Sequence, residues 1–226
     1  MLDRKELKAL SKNQLRGQWT TVVLINLLFI VIEFIIANLL NFSEVNISIT
    51  MLISILNLVT MAFINISTYN LFIKLTRGKK VKFNDIFFTG KTFIKTIGIM
   101  LIQSILVTVL FIILYFILFG LLFITSSSII LLFIISVVIM MILFAYLYPS
   151  IILMCEDEDR GIFECISMSF SLMHGNVWRY IVLQLSFIGW DLLCILSLGI
   201  GLLWLIPYQN TVNMNFFNEI VGYNQV

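Results

Sequence analysis

The chain has 226 residues, 61% of them hydrophobic and 12% charged, with a net charge of +2 and a mean hydropathy of +1.07. A soluble domain carries about 45–50% apolar and about 25% charged residues, so no large soluble domain fits this composition. Three cysteines and one histidine exclude a disulfide framework and the usual zinc sites, and leave Cys155, Cys165, Cys194 and His174 to packing or interface roles.

The N-terminus is basic, with Arg4, Lys5, Lys8, Lys12 and Arg16 ahead of an apolar run from Val22 to Leu40. That run is too long for the apolar region of a signal peptide, and no small-residue cleavage site follows it, so it reads as an uncleaved first span. Residues 2–17 read as a short interfacial helix, with Leu7, Leu10 and Leu15 set against the basic residues. Trp19 stands where an aromatic interface anchor belongs. Six spans are expected: 20–40, 49–73, 96–124, 129–154, 178–198, and one from Gly201 that turns polar after Pro207 and ends as an amphipathic segment at the inner surface. Polar links are expected at 41–48 and at Thr125 to Ser128. Between the second and third spans a basic segment, with Phe83, Phe87 and Phe88, is expected to form an elbow helix over 79–93. Ile162, Phe163, Ile166, Phe170, Met173 and Val177 recur at three and four, which predicts a second surface-lying helix over 161–177.

The fold class is therefore all-α: one polytopic membrane domain over 1–226, with interfacial helices. A weak parallel repeat relates 49–124 to 129–198, because Arg77-Gly78 and Arg160-Gly161 each lead through Phe and Ile to a glycine and a span. Any two membrane elbows can share that pattern. All fourteen Lys and Arg fall at the N-terminus, between spans two and three, or between spans four and five, with Arg179 at the very start of the fifth. The excess of basic residues on cytoplasmic segments then places both termini in the cytoplasm of a multi-pass cell-membrane protein. Asn41 and Asn46 match the glycosylation pattern, which Asn-rich chains reach by chance.

Two acids lie inside spans. Glu33 is fourteen residues past Trp19 and Asp191 twelve past Arg179, so at about 1.5 Å per residue both reach mid-bilayer depth. Each must be protonated, hydrogen-bonded or paired with a cation. Asn26 and Gln184 each lie seven residues before an acid and share its helix face. Asn57 and Asn65 in the second span and Gln103 in the third extend the polar set. These residues are either a polar cavity for a cation, proton or solute, or helix-packing hydrogen bonds. Lys79, Lys80, Lys82, Lys91 and Lys95, interleaved with Phe, suit anionic lipid headgroups at the inner surface, or serve as a topology signal alone. No domain is available to present charge to nucleic acid. No catalytic set, metal motif or phosphate loop stands out, so no cofactor and no enzymatic activity is expected. Binding or transport of a small solute or lipid, or a role in membrane homeostasis, leads. A structural or regulatory subunit of another membrane complex, or a homo-oligomer, is the alternative.

Leu185-Ser-Phe-Ile-Gly-Trp190, Gly199-Ile-Gly-Leu-Leu-Trp204 and Pro207-Tyr208 resemble the C-terminal signature of a bacterial membrane-protein family catalogued as domain of unknown function 975. Leu15-Arg-Gly-Gln-Trp19 and Ser169 with Leu172-Met-His-Gly-Asn176 resemble its other short motifs. The resemblance spans nearly the whole chain. It implies a multi-span bacterial membrane protein without an established activity. Asp191 departs from the family pattern, which is apolar after the signature tryptophan.

Overall fold

The computed structural model describes residues 2–42, 47–121 and 126–222, with side chains described for 2–39, 47–117 and 134–222. Five described helical stretches are long and apolar enough to cross a bilayer: Trp19–Leu39, Ile47–Thr76, Gly90–Ile117, Ile134–Glu156 and Val177–Leu196. The helices are α1 (Arg4–Leu15), α2 (Trp19–Phe42), α3 (Ile47–Thr76), α4 (Gly90–Leu121), α5 (Ser126–Leu147), α6 (Pro149–Glu156), α7 (Ile162–Met173), α8 (Val177–Leu185), α9 (Ile188–Leu196) and α10 (Leu202–Val221). The expected turn at Thr125 to Ser128 gives way to the start of α5 at Ser126, while Thr125 and residues 43–46 of the first link lie outside the described residues. The side chains of Asn41 and Asn46 lie outside them too.

The chain divides into two compact units, one of residues 1–97 with 183–226, the other of residues 98–182. The first unit is built around α10, which packs on α1, α2, α3 and α9. The C-terminal part of α10, expected to be amphipathic, is instead buried on all sides. Residues 211–218 of α10 are all buried, including Asn213, Asn215 and Asn218. A helix whose polar and apolar residues are mixed all round has no face to lay on a membrane surface, and it holds its place by hydrogen bonds to its neighbours. The same polarity keeps it off the set of five spans.

α1 begins at a capping box, with Asp3 and Glu6 each receiving an amide of the other's turn. It buries Leu7, Ser11 and Leu15, spaced at four, against the rest of the unit. The expected elbow helix over 79–93 is absent. Gly78, at φ 73°, ends α3, and the chain runs extended except for one 3-10 turn at Phe83–Ile86. Fixed contacts replace the helix: Val81 N–H donates to Gln18 Oε1 at 2.7 Å, and Ser67 Oγ donates to the Ile86 carbonyl at 2.7 Å. Asp85 accepts from Lys74 Nζ at 2.7 Å and from the Lys82 amide at 2.7 Å. The Lys74 hydrogen bond holds the Asp85 carboxyl below its ordinary range, and the Lys82 amide and the two lysine charges add to it.

In the second unit α7 packs on α5 and α6 through Cys165, Ser169 and Met173, and Phe163 points outward. This is the amphipathic helix expected from the spacing. Its first residue closes on α4: a Cβ at Gly98 would stand 2.6 Å from Ile162 Cδ1. The fourth span breaks at Tyr148, because Pro149 has no N–H to continue α5 and instead opens α6.

Candidate functional site

The expected polar residues do not gather into one cavity. Gln103 belongs to the second unit, where its Nε2 donates to the Leu147 carbonyl at 3.2 Å and to Ser150 Oγ at 2.7 Å. It thus ties α4 to the backbone and hydroxyl on either side of Pro149, a packing role. Asn65 donates to the Met61 carbonyl of its own helix at 2.8 Å, and Asn57 is half-buried in α3. Asn26 donates to the Leu203 carbonyl at the start of α10 at 3.4 Å, two turns before the half-buried Glu33. Asn26, Thr68 and Asn210 line a void of about 20 Å³, room for one water.

Gln184 and Asp191 both turn toward α10, although the fifth span breaks between them. Ser186 and Phe187 donate to carbonyls three residues back, at 3.2 and 2.9 Å, so α8 ends in a tight turn before α9 starts. Each polar group finds a partner on α10: Gln184 Nε2 donates to Asn213 Oδ1 at 2.7 Å, and Asp191 Oδ1 accepts from Gln209 Nε2 at 2.9 Å.

The break is filled from α1. Lys8 Nζ donates to the Ser186 carbonyl at 3.1 Å and lies 4.1 Å from the centre of the Phe187 ring. Burial, helped by the Arg4 charge, lowers the Lys8 pKa. The Phe187 ring meets Tyr208 edge-on at 5.8 Å, and Tyr208 OH donates back to the Lys8 carbonyl at 3.2 Å. A cation is favourable at the exposed carbonyl end of α8, so one lysine caps a helix and anchors α1 at once.

Beside this clamp, α1, α2, α9 and α10 line an open pocket of about 520 Å³. Three of the chain's four tryptophans, Trp19, Trp190 and Trp204, line it together with Tyr208. Cys194, Ser197 and Gly201 border it where α9 turns into α10. Lys12 is its one charged lining residue. The turn is tight: Leu198 and Gly199 both take positive φ, 55° and 85°, and a Cβ at Gly201 would stand 2.6 Å from Cys194 Sγ. Only glycine at 201 lets the two helices approach this closely and leave the space beside them open.

Of the basic loop, Lys79, Lys80, Lys82 and Lys91 are exposed and Lys95 is half-buried, and none of them lines the pocket. The pocket was missed in the sequence because its residues come from three separate stretches. The available signal was a row of basic residues at 4, 8 and 12 running alongside the buried stripe of Leu7, Ser11 and Leu15 on α1.

An all-α chain with five described helices long and apolar enough to cross a bilayer is a polytopic membrane protein. The chain matches the family described as Protein of unknown function (DUF975) over residues 1–224, and it belongs to that family. No curated protein and no solved structure matches it. Four of the five segments that carry the family resemblance meet at one place, for Trp19, Trp190, Gly201, Trp204 and Tyr208 all line the aromatic pocket.

Proposed function

We propose that the protein is a non-enzymatic lipid-binding protein of the cell membrane, with both termini cytoplasmic, and that the aromatic pocket holds the apolar chain of a lipid. The observation that carries this reading is the pocket itself: about 520 Å³ of open space walled by three tryptophans and a tyrosine. Ligand sites of this size are mostly apolar, with a few placed polar groups. Tryptophan and tyrosine suit an amphiphile because each joins a large apolar ring to a polar edge. The polar residues near mid-depth support this reading over passage of a polar solute, since Gln103, Gln184 and Asp191 are engaged in helix-to-helix hydrogen bonds and the void beside Asn26 takes a single water. A lipid-holding protein serves membrane homeostasis or supplies a transport system, and the pocket is common to both roles.

Native mass spectrometry of the purified protein, titrated with a two-chain phospholipid, tests this. One lipid should be retained at saturation, and Trp190→Ala with Trp204→Ala should lose it. Phe111→Ala with Phe116→Ala, on the exposed surface of α4, should keep it. Retention that never saturates, or that ignores the tryptophan pair, would refute the reading.

A further inference from the structure

We infer that the pocket selects an anionic lipid, whose headgroup sits on Lys12 at the α1 end while its chain runs along α9 and α10 toward the 197–201 turn. The inference rests on the lipid-binding reading above and adds the chemistry of the headgroup and the direction in which the lipid lies.

The pocket is polarised along its length. Lys12 and Trp19 stand at one end, where α1 hands over to the first span, and the start of α10 lies two turns further along α2, where Asn26 donates to the Leu203 carbonyl. Gly201 and Ser197 stand at the other, and from Gly201 to Tyr208 the α10 wall rises about 10 Å at about 1.5 Å per residue. Between the ends the walls are indole, phenol and aliphatic carbon. An occupant therefore meets charge at one end only, and that charge is positive.

Lys12 is also placed to act on a ligand. Its side chain is exposed, and it has no ion-pair partner among the described residues. Arg4, Lys8 and Lys12 recur every four residues and so stack along one side of α1. Lys8 is committed to the Ser186 carbonyl and the Phe187 ring. Lys12 is one turn further on and keeps its three ammonium donors. Among the described residues, no carboxylate lines the pocket to neutralise it. A phosphodiester at the pocket mouth would receive a charge-assisted hydrogen bond, whereas a zwitterionic headgroup would bring a cation of its own toward the same stripe.

The test compares two lipids with identical chains, phosphatidylglycerol and phosphatidylcholine, on the intact protein by native mass spectrometry at low and high salt. The wild type should prefer phosphatidylglycerol by about fivefold or more, the value for one lysine at a headgroup surface, and salt should erode the preference. Lys12→Gln should retain both lipids with the preference gone. Lys79→Gln with Lys80→Gln, exposed lysines outside the pocket, should leave the preference intact. Equal binding of the two lipids by the wild type would overturn the anionic assignment while the pocket reading stands. A preference that Lys12→Gln leaves untouched, or that Lys79→Gln with Lys80→Gln removes, would overturn the role of Lys12. Failure of both lipids to bind would overturn the two readings together.

Discussion

Asn215 commits its amide to α1, with Nδ2 donating to Ser11 Oγ at 2.8 Å and to Gln14 Oε1 at 2.7 Å. Gln14 passes the connection to the Thr76 carbonyl at 3.2 Å, and Asn218 reaches Thr76 Oγ1 at 3.0 Å, so the last turns of α1, α3 and α10 share one network. A buried network of this kind is costly to break, because the remaining groups lose their partners in a place water does not reach. Asn215→Ala should lower stability by about 1–3 kcal/mol, read as a drop in the thermal midpoint in detergent, whereas Asn13→Ala on the exposed side of α1 should be near neutral. Asp85 gives a pH-dependent counterpart. Its carboxyl pKa is held below the ordinary value of 3.8 by Lys74 and the Lys82 amide. A group depressed in this sense stabilises the fold fully above its unfolded pKa and loses that contribution as pH falls through the folded value. The difference in thermal midpoint between the wild type and Asp85→Asn should therefore be constant from neutral pH down to about 4 and shrink only below it.

At the scale of elements, the breaks matter more than the spans. The fifth span is cut at Ser186 and Phe187 and repaired by Lys8, and the fourth is cut at Pro149, where Ser169 donates to the Tyr146 carbonyl three residues back. Lys8→Ala removes a donor to the Ser186 carbonyl and a cation from the Phe187 ring. It should cost about 1–2 kcal/mol and speed amide exchange at 185–190 ahead of global unfolding. The apolar runs from Trp19, Ile47 and Gly90 were legible in the sequence, as was α7, because lipid-facing length and three-four spacing are local properties. The break at 186–187 was not, because Leu185-Ser-Phe-Ile-Gly-Trp190 contains no proline and its tight turn is stabilised from 178 residues away by Lys8. The elbow at 79–93 failed as a helix for a similar reason: its aromatic and basic spacing allows one, but Gln18, Ser67 and Lys74 on other helices claim its backbone and Asp85. α10 read as a surface helix because a run of asparagines looks solvated until partners such as Ser11, Gln14 and Gln184 are brought to it.

For the molecule as a whole, we propose from the fourteen basic residues a cytoplasmic placement of both termini that can be checked directly. With Cys155, Cys165 and Cys194 replaced, a cysteine introduced at Lys80, which is exposed, should resist an impermeant maleimide in intact cells and react after permeabilisation. That orientation places α1, and with it Lys12, at the cytoplasmic leaflet, the leaflet whose anionic lipids attract basic segments. The account then has one centre, a lipid held between α1, α2, α9 and α10. The most direct measurement is photocrosslinking in membranes with a phospholipid carrying a diazirine on its acyl chain, followed by peptide mapping. The account predicts saturable adducts concentrated at residues 190–205, reduced by Trp190→Ala with Trp204→Ala and competed by unlabelled phosphatidylglycerol. Adducts spread evenly over the exposed apolar surfaces of α2, α3 and α4, with no competition, would contradict it.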